Sequence, residues 1–121
     1  MNLLSDLINF KKQYGSGMVR GALTIADNLL TYMTSKKPWC GPLYVDWEIT
    51  YACNSRCNYC NCWRMAEPRK EINTEEALEV VRQLGRRRVW LLIFTGGEPL
   101  MRPDLPELIK EAKRQGMNVS I

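Results

Sequence analysis

Five cysteines and no histidine bound the chemistry open to this 121-residue chain. Three of them, Cys53, Cys57 and Cys60, fall within eight residues at the spacing C-x-x-x-C-x-x-C. Thiolate is the metal-binding form of cysteine, and no imidazole is present to share the work. Three thiolates on one short loop can hold three corners of an iron–sulfur cube, whose full ligation takes four. The fourth iron then stays open to an outside ligand. Asn54, Ser55 and Asn58 suit a chain that must wrap around such a group. Cys62, two residues past Cys60, offers a fourth sulfur that would close the site. The alternative function is therefore a structural zinc- or iron–sulfur-binding module without catalysis. Zinc sites usually bring two cysteine pairs separated by a longer insert, and four ligands within ten residues do not have that form. Cys40, in the linker over 38–42, reads as a free thiol outside the site.

A second motif, Thr95-Gly96-Gly97-Glu98-Pro99, directly follows the apolar run from Val89 to Phe94. Glycines allow close backbone approach and φ > 0, and Pro99 ends strand pairing. The two motifs together resemble the radical S-adenosylmethionine (SAM) superfamily, and the resemblance covers about residues 43–121. It implies a partial (β/α)6 barrel related to the TIM barrel, of which this chain holds the first βα units. Cys53, Cys57 and Cys60 are then the ligands of a 4Fe–4S cluster, and Cys40 and Cys62 are not. Gly96, Gly97, Glu98 and Pro99 hold the methionine part of SAM, with the glycines leaving room for the ligand. Tyr59 lies near the SAM adenine. The implied reaction is reductive cleavage of SAM to a 5′-deoxyadenosyl radical, which abstracts hydrogen from an unknown small-molecule or peptide substrate. An electron donor such as flavodoxin or ferredoxin is implied as a partner. A simple electron carrier would have no need of a SAM-holding glycine segment.

The elements that position these motifs are legible in the hydrophobic pattern. Leu43 to Thr50 alternates, with Tyr44, Asp46, Glu48 and Thr50 on one side and Val45, Trp47 and Ile49 on the other, as in a strand with one apolar face. The alternation does not say which side looks into a barrel. Asn73-Thr-Glu-Glu76 has the form of a capping box, followed by a buried stripe of Ala77, Val80, Val81 and Leu84, with Gly85 suited to the C′ position. Val89 to Phe94 is apolar throughout, the mark of a strand covered on both faces. Asp104 or Pro103 opens a further helix with Leu105, Leu108, Ile109 and Ala112 inward and Gly116 at its end, and Met117 to Ile121 reads as a strand. Alternating strands and helices indicate parallel βαβ units and an α/β class. Ligands in such sheets bind at the C-terminal ends of the strands, where both motifs sit.

Residues 1–38 read as an N-terminal helical extension and 39–121 as the start of a truncated radical SAM partial barrel. Within the extension, Leu3, Leu7, Phe10 and Tyr14 form one helical stripe. Gly15-Ser16-Gly17 breaks it, and Val19, Ala22, Leu23, Ala26, Leu29, Leu30 and Met33 form a second stripe. Two helices packed outside the barrel are expected, and residues 1–37 leave open a peripheral membrane contact. A net charge of +4 is mild. The densest basic run, Arg86-Arg87-Arg88, suits a helix C-terminus, so no nucleic-acid partner is expected. The early residues do not form a signal peptide, and the cysteines do not form a disulfide framework, so a cytoplasmic, reducing location is expected. A full barrel needs about 250 residues. The chain thus reads as part of a longer enzyme, inactive by itself.

Overall fold

The computed structural model describes residues 3–64 and 71–121, with side chains described from Gly17 onward. In order, the elements are helix α1 (Leu3–Thr34), strand β1 (Tyr44–Thr50), helix α2 (Thr74–Arg86), strand β2 (Leu91–Gly96), helix α3 (Leu105–Arg114) and strand β3 (Asn118–Ser120). Short 3-10 turns occupy Cys62–Arg64 and Pro99–Met101. The strands form a parallel sheet in the order β1-β2-β3. This is an α/β arrangement consistent with the start of a TIM-like barrel.

The core lies between one face of the sheet and α2 and α3. Ile49, Leu92 and Phe94 are buried with Ala77, Leu78 and Val81 of α2 and Leu105, Leu108 and Ala112 of α3. Val45, Trp47 and Val119 pack against the same cluster. Trp47 is the register partner of Phe94, and their rings meet at 6.1 Å. The other face of β1 carries Tyr44, Asp46 and Glu48, all exposed, while Leu91, Ile93 and Thr95 of β2 are half-buried. The apolar side of β1 therefore faces the helices. Thr50, although aligned with the polar set, is buried.

Helix α2 starts as its sequence dictates. Asn73 Oδ1 accepts from Glu76 N at 2.9 Å, and Asn73 N donates to Glu76 Oε2 at 3.1 Å, so two otherwise unpaired donors are satisfied reciprocally. Its end differs from expectation. The helix runs through Gly85, and the reversal to positive φ falls on Arg88 (φ 59°). Gly85 is small for another reason: a Cβ there would come within 2.6 Å of Gln115 Cβ, at the end of α3. Helix α3 does end at a left-handed glycine, Gly116 (φ 78°).

The N-terminal segment is one continuous helix, not two. Gly15, Ser16 and Gly17 lie inside α1. A glycine costs a helix about 1 kcal/mol but keeps its N–H, so it does not end the helix as proline would. Gly17 and Gly21, one turn apart, allow α1 to approach the sheet. A Cβ at Gly17 would lie 2.9 Å from Asn118 Nδ2, and one at Gly21 would lie 3.0 Å from Trp90 Nε1. The expected stripe of Leu3, Leu7, Phe10 and Tyr14 lies outside the described side chains, as do residues 65–70 of the loop before α2.

Polar bonds place α1 across the end of the sheet where the strands begin. Arg20 Nη1 donates to Gln115 O at 2.7 Å and Arg20 Nη2 to Gly85 O at 3.3 Å. Thr24 Oγ1 donates to Arg88 O at 3.2 Å. One guanidinium thus meets carbonyls at the C-terminal ends of both α2 and α3, where the helix dipoles are negative. Burial lowers the Arg20 pKa from its ordinary value, and Arg88 adds to the effect. Asp27 Oδ2 accepts from the Cys40 backbone N at 2.7 Å, tying α1 to the segment that enters β1. No described helix is long and apolar enough to cross a membrane.

Replacing Arg20 by Ala removes both bonds and takes from Gln115 O its side-chain donor, while Gly85 O keeps its bond from Arg88 N. A loss of about 1–2 kcal/mol is expected, read in the intact protein as a lower urea midpoint at unchanged m-value.

Candidate functional site

The end of the sheet opposite α1 carries both sequence motifs. Strand β1 leads into the cysteine loop and β2 into the glycine segment, and the two strands are neighbours. Their register runs Tyr44↔Leu91 through Glu48↔Thr95 and then shifts, so that Thr50 pairs with Gly96. This irregularity inserts an extra residue into β1 just before the cysteine loop, as β-bulges beside functional sites commonly do.

The two motifs are bonded to each other through their backbones. Gly97 N donates to Thr50 O at 2.8 Å, and Glu98 N donates to Ala52 O at 2.7 Å. Gly96 has φ 124°, a geometry that side chains disfavour. A Cβ on Gly96 would collide with Thr50 O, and one on Gly97 with Ala52 O, with Tyr51 O at 2.9 Å. The space a side chain would need is thus occupied by the backbone of the cysteine loop's stem. The smallness of both glycines lets the two loops lie against each other. Glu98 Oε1 accepts from Leu100 N at 3.1 Å and so caps the turn that follows, over Pro99–Met101.

Cys53, Cys57 and Cys60 are half-exposed free thiols. Cys60 N donates to Cys57 O at 3.3 Å, which closes a turn between the second and third. Cys53 Sγ accepts from Ser55 N at 3.4 Å. The Cys62 backbone N–H and thiol push the Cys60 pKa down from its ordinary value, and the Cys60 thiol pushes that of Cys62 up. The negative charges of Cys60, Cys53 and Glu48 add to the rise at Cys62. Tyr59 is 93% exposed. Cys40 is buried at the other end of β1, away from this loop. Among the described residues, no three cysteine, aspartate or glutamate side chains converge closely enough to hold a single metal ion.

Beneath the rim sits Arg102, 7% exposed, which the sequence pattern did not single out. Its Nη1 donates to Ile49 O at 2.8 Å and its Nη2 to Ile72 O at 3.0 Å. Its Nε and Nη2 meet the two oxygens of Asp104 at 2.7 and 3.0 Å. One side chain therefore joins the end of β1, the entry to α2 and the N-cap of α3. Glu71 Oε1 accepts from Thr50 Oγ1 at 2.8 Å and from Tyr51 N at 3.0 Å, fixing the stem of the cysteine loop. The only sequence signal for Arg102 was its place four residues past Glu98, between two 3-10- and helix-starting prolines, which periodicity does not score.

The sequence model of the radical SAM superfamily matches residues 47–121, more than half of the chain. The chain belongs to the radical SAM superfamily. Its members use a 4Fe–4S cluster and S-adenosylmethionine. Among curated proteins it is 34% identical over 103 residues to Fe-coproporphyrin III synthase of Methanosarcina barkeri, covering 84% of this chain and 25% of that protein. It is 35% identical over 98 residues to AdoMet-dependent heme synthase of Oleidesulfovibrio alaskensis, covering 80% and 25%. It is 33% identical over 78 residues to mycofactocin maturase MftC of Mycobacterium ulcerans, covering 64% and 21%. These radical SAM relatives are enzymes, and the chain spans about a quarter of their length. No solved structure matches it.

Two predictions follow from the rim. Gly97→Val drives a branched side chain into Ala52 O and Tyr51 O, so the cysteine loop must move with the glycine segment; iron content and thermal stability should fall together. Loss of SAM binding at normal iron content and stability would contradict this. The second concerns Asp104, whose carboxyl the Arg102 guanidinium holds below its ordinary pKa, with Thr74 adding a hydrogen bond. A carboxyl depressed in the folded state stabilises above its unfolded pKa, and that contribution fades as pH falls through the folded value. Asp104→Asn should therefore lower the melting temperature at pH 7 and flatten its fall between about pH 5 and pH 2.

Proposed function

We propose that this chain carries the SAM-cleaving start of a radical SAM enzyme. Cys53, Cys57 and Cys60 hold three irons of a 4Fe–4S cluster, and the fourth iron is left to the amino and carboxylate groups of SAM. The single observation that carries the reading is the bonding of the cysteine loop to the glycine segment on one rim, through Gly97 N to Thr50 O and Glu98 N to Ala52 O.

The donor set fits the group. A cube takes each thiolate on a different iron, so the sulfurs need not converge on one point as a single ion requires. All three thiols are free, partly exposed and carried on a loop of polar, turn-forming residues. When bound and reduced by one electron, the cluster supplies reductive cleavage of the SAM sulfonium C–S bond, giving methionine and a 5′-deoxyadenosyl radical. Gly96, Gly97, Glu98 and Pro99 present backbone groups to the methionine part, and Tyr59 lies beside the adenine. The exposed residues Asn54, Ser55, Arg56 and Asn58 leave the loop accessible to an electron donor such as flavodoxin or ferredoxin. Hydrogen is then taken from a substrate bound elsewhere in the intact protein, in a reducing, cytoplasmic setting. The relatives' names give different products, while the match is confined to the part they share. The proposal is therefore of the shared step.

Cys62, a free and half-exposed thiol two residues past Cys60, favours one rival, a closed four-sulfur site that binds metal without catalysis. Anaerobic purification of the intact protein with single alanine replacements separates the two. Cys53→Ala, Cys57→Ala and Cys60→Ala are each expected to lose most iron and sulfide and all SAM cleavage, while Cys62→Ala keeps both. Normal iron in Cys57→Ala, or equal iron loss in Cys62→Ala, refutes the assignment.

A further inference from the structure

Helix α1 meets the rest of the protein through its polar side. Gly17 and Gly21 lie against Asn118 and Trp90, Arg20 and Thr24 bond to the carbonyls of Gln115, Gly85 and Arg88, and Asp27 accepts from Cys40 N. The apolar stripe expected to pack outside the barrel falls on the opposite side of the helix. Ala22, Leu23, Ala26, Leu29, Leu30 and Met33 are all exposed, and only Val19 of that stripe is half-buried. Tyr32 and Trp39, near the end of the helix and just past it, are 86% and 84% exposed. A contiguous apolar face of this kind is rare on a soluble protein and marks a surface that something covers.

The charges around the face choose between occupants. From Gly17 to Val45 the single acidic residue is Asp27, and it is turned inward onto Cys40 N. Lys36 and Lys37 are exposed directly after the helix, and α1 carries Lys11 and Lys12 as well. A second copy laid on this face would bring lysines near lysines, with Asp27 already engaged elsewhere. Further βα units would add beside β3 in the plane of the sheet, whereas the stripe is turned away from the sheet. An apolar helix face with lysines and with tyrosine and tryptophan at its margin matches a helix lying in the interface of an anionic bilayer. The helix is not long and apolar enough to cross one. We propose that α1 rests on an anionic lipid surface, with Leu23, Leu30 and Met33 at the headgroup boundary, Tyr32 and Trp39 at its edge and Lys36 and Lys37 on lipid phosphates. The strands start at α1 and end at the two motifs, so the cysteine loop and the glycine segment then point away from the lipid. The inference goes beyond the SAM-cleaving reading and does not depend on a cluster.

The test is co-sedimentation of the intact protein with sucrose-loaded vesicles of phosphatidylcholine alone or mixed with phosphatidylglycerol. Binding to the mixed vesicles is expected, weakening as salt is raised. Leu30→Glu, on the exposed face, should bind them about tenfold more weakly or worse, since the burial of one leucine is lost. Lys36→Gln with Lys37→Gln should remove the preference for mixed over neutral vesicles. Brominated lipid should quench tryptophan emission, and Trp39→Phe should remove most of that quenching. If Leu30→Glu does not fold, the lysine variant and the quenching decide. Failure of the intact protein to bind mixed vesicles overturns the proposal. A fall in melting temperature in Leu30→Glu would then assign the face to another part of the same protein, and a dimer that Leu30→Glu separates would assign it to a second copy. Binding that Leu30→Glu and the lysine variant both leave unchanged also overturns it, because the lipid contact would lie elsewhere.

Discussion

The close approach of two backbone segments at one end of the sheet is the constraint on which the rest depends. Thr50, Tyr51 and Ala52 occupy the space where Gly96 and Gly97 would carry side chains, and two short hydrogen bonds join them. This contact is possible only because β1 and β2 are parallel neighbours that end together. Parallel strands need a crossover between them, here α2, and α2 in turn needs its capping box to begin where the loop from the cysteines arrives. A motif of three cysteines and a motif of two glycines, some forty residues apart in the chain, thereby become one surface.

Two guanidiniums hold this arrangement from opposite ends. Arg102 is buried beneath the rim and meets the carbonyls of Ile49 and Ile72 together with the carboxylate of Asp104. Arg20 spans the other end and meets the carbonyls of Gly85 and Gln115. The two differ in kind. Arg102 has a carboxylate partner, so its burial is electrostatically compensated. Arg20 has only carbonyl partners, and burial, with the like charge of Arg88 adding to it, lowers its pKa. Planar forks with several donors suit both tasks, which a lysine would not perform as well. The result is a rim fixed from below, on which a polar, partly exposed cysteine loop sits.

Much of this was legible in the chain. The cysteine spacing, the glycine segment and the capping box at Asn73 and Glu76 are local patterns, and local patterns carry their geometry with them. The helical stripes of α2 and α3 and the alternation of β1 also follow from periodicity, because a side chain's face is set by its position along the element. The continuity of α1 was misread, since two glycines and a serine suggest a break when nothing shows that Gly17 and Gly21 meet Asn118 and Trp90. The end of α2 was misplaced by the same reasoning at Gly85. In each case the glycine serves a contact between segments distant in sequence.

The sequence by itself determined the class of fold, the alternation of strands and helices from β1 to β3 and the identity of both motifs, because each is encoded within a few turns or strand residues. Only the tertiary structure decided that Val45, Trp47 and Ile49 face the helices, that Gly97 accommodates Ala52 and Tyr51 of the loop's stem, and that Arg102 joins three elements at once. Those facts depend on pairs of residues tens of positions apart, such as Arg102 with Ile49 and Arg20 with Gln115. A hydrogen bond or a steric contact between such pairs leaves no period in the chain; it exists only once parallel pairing and the α2 and α3 crossovers have brought the two segments within reach.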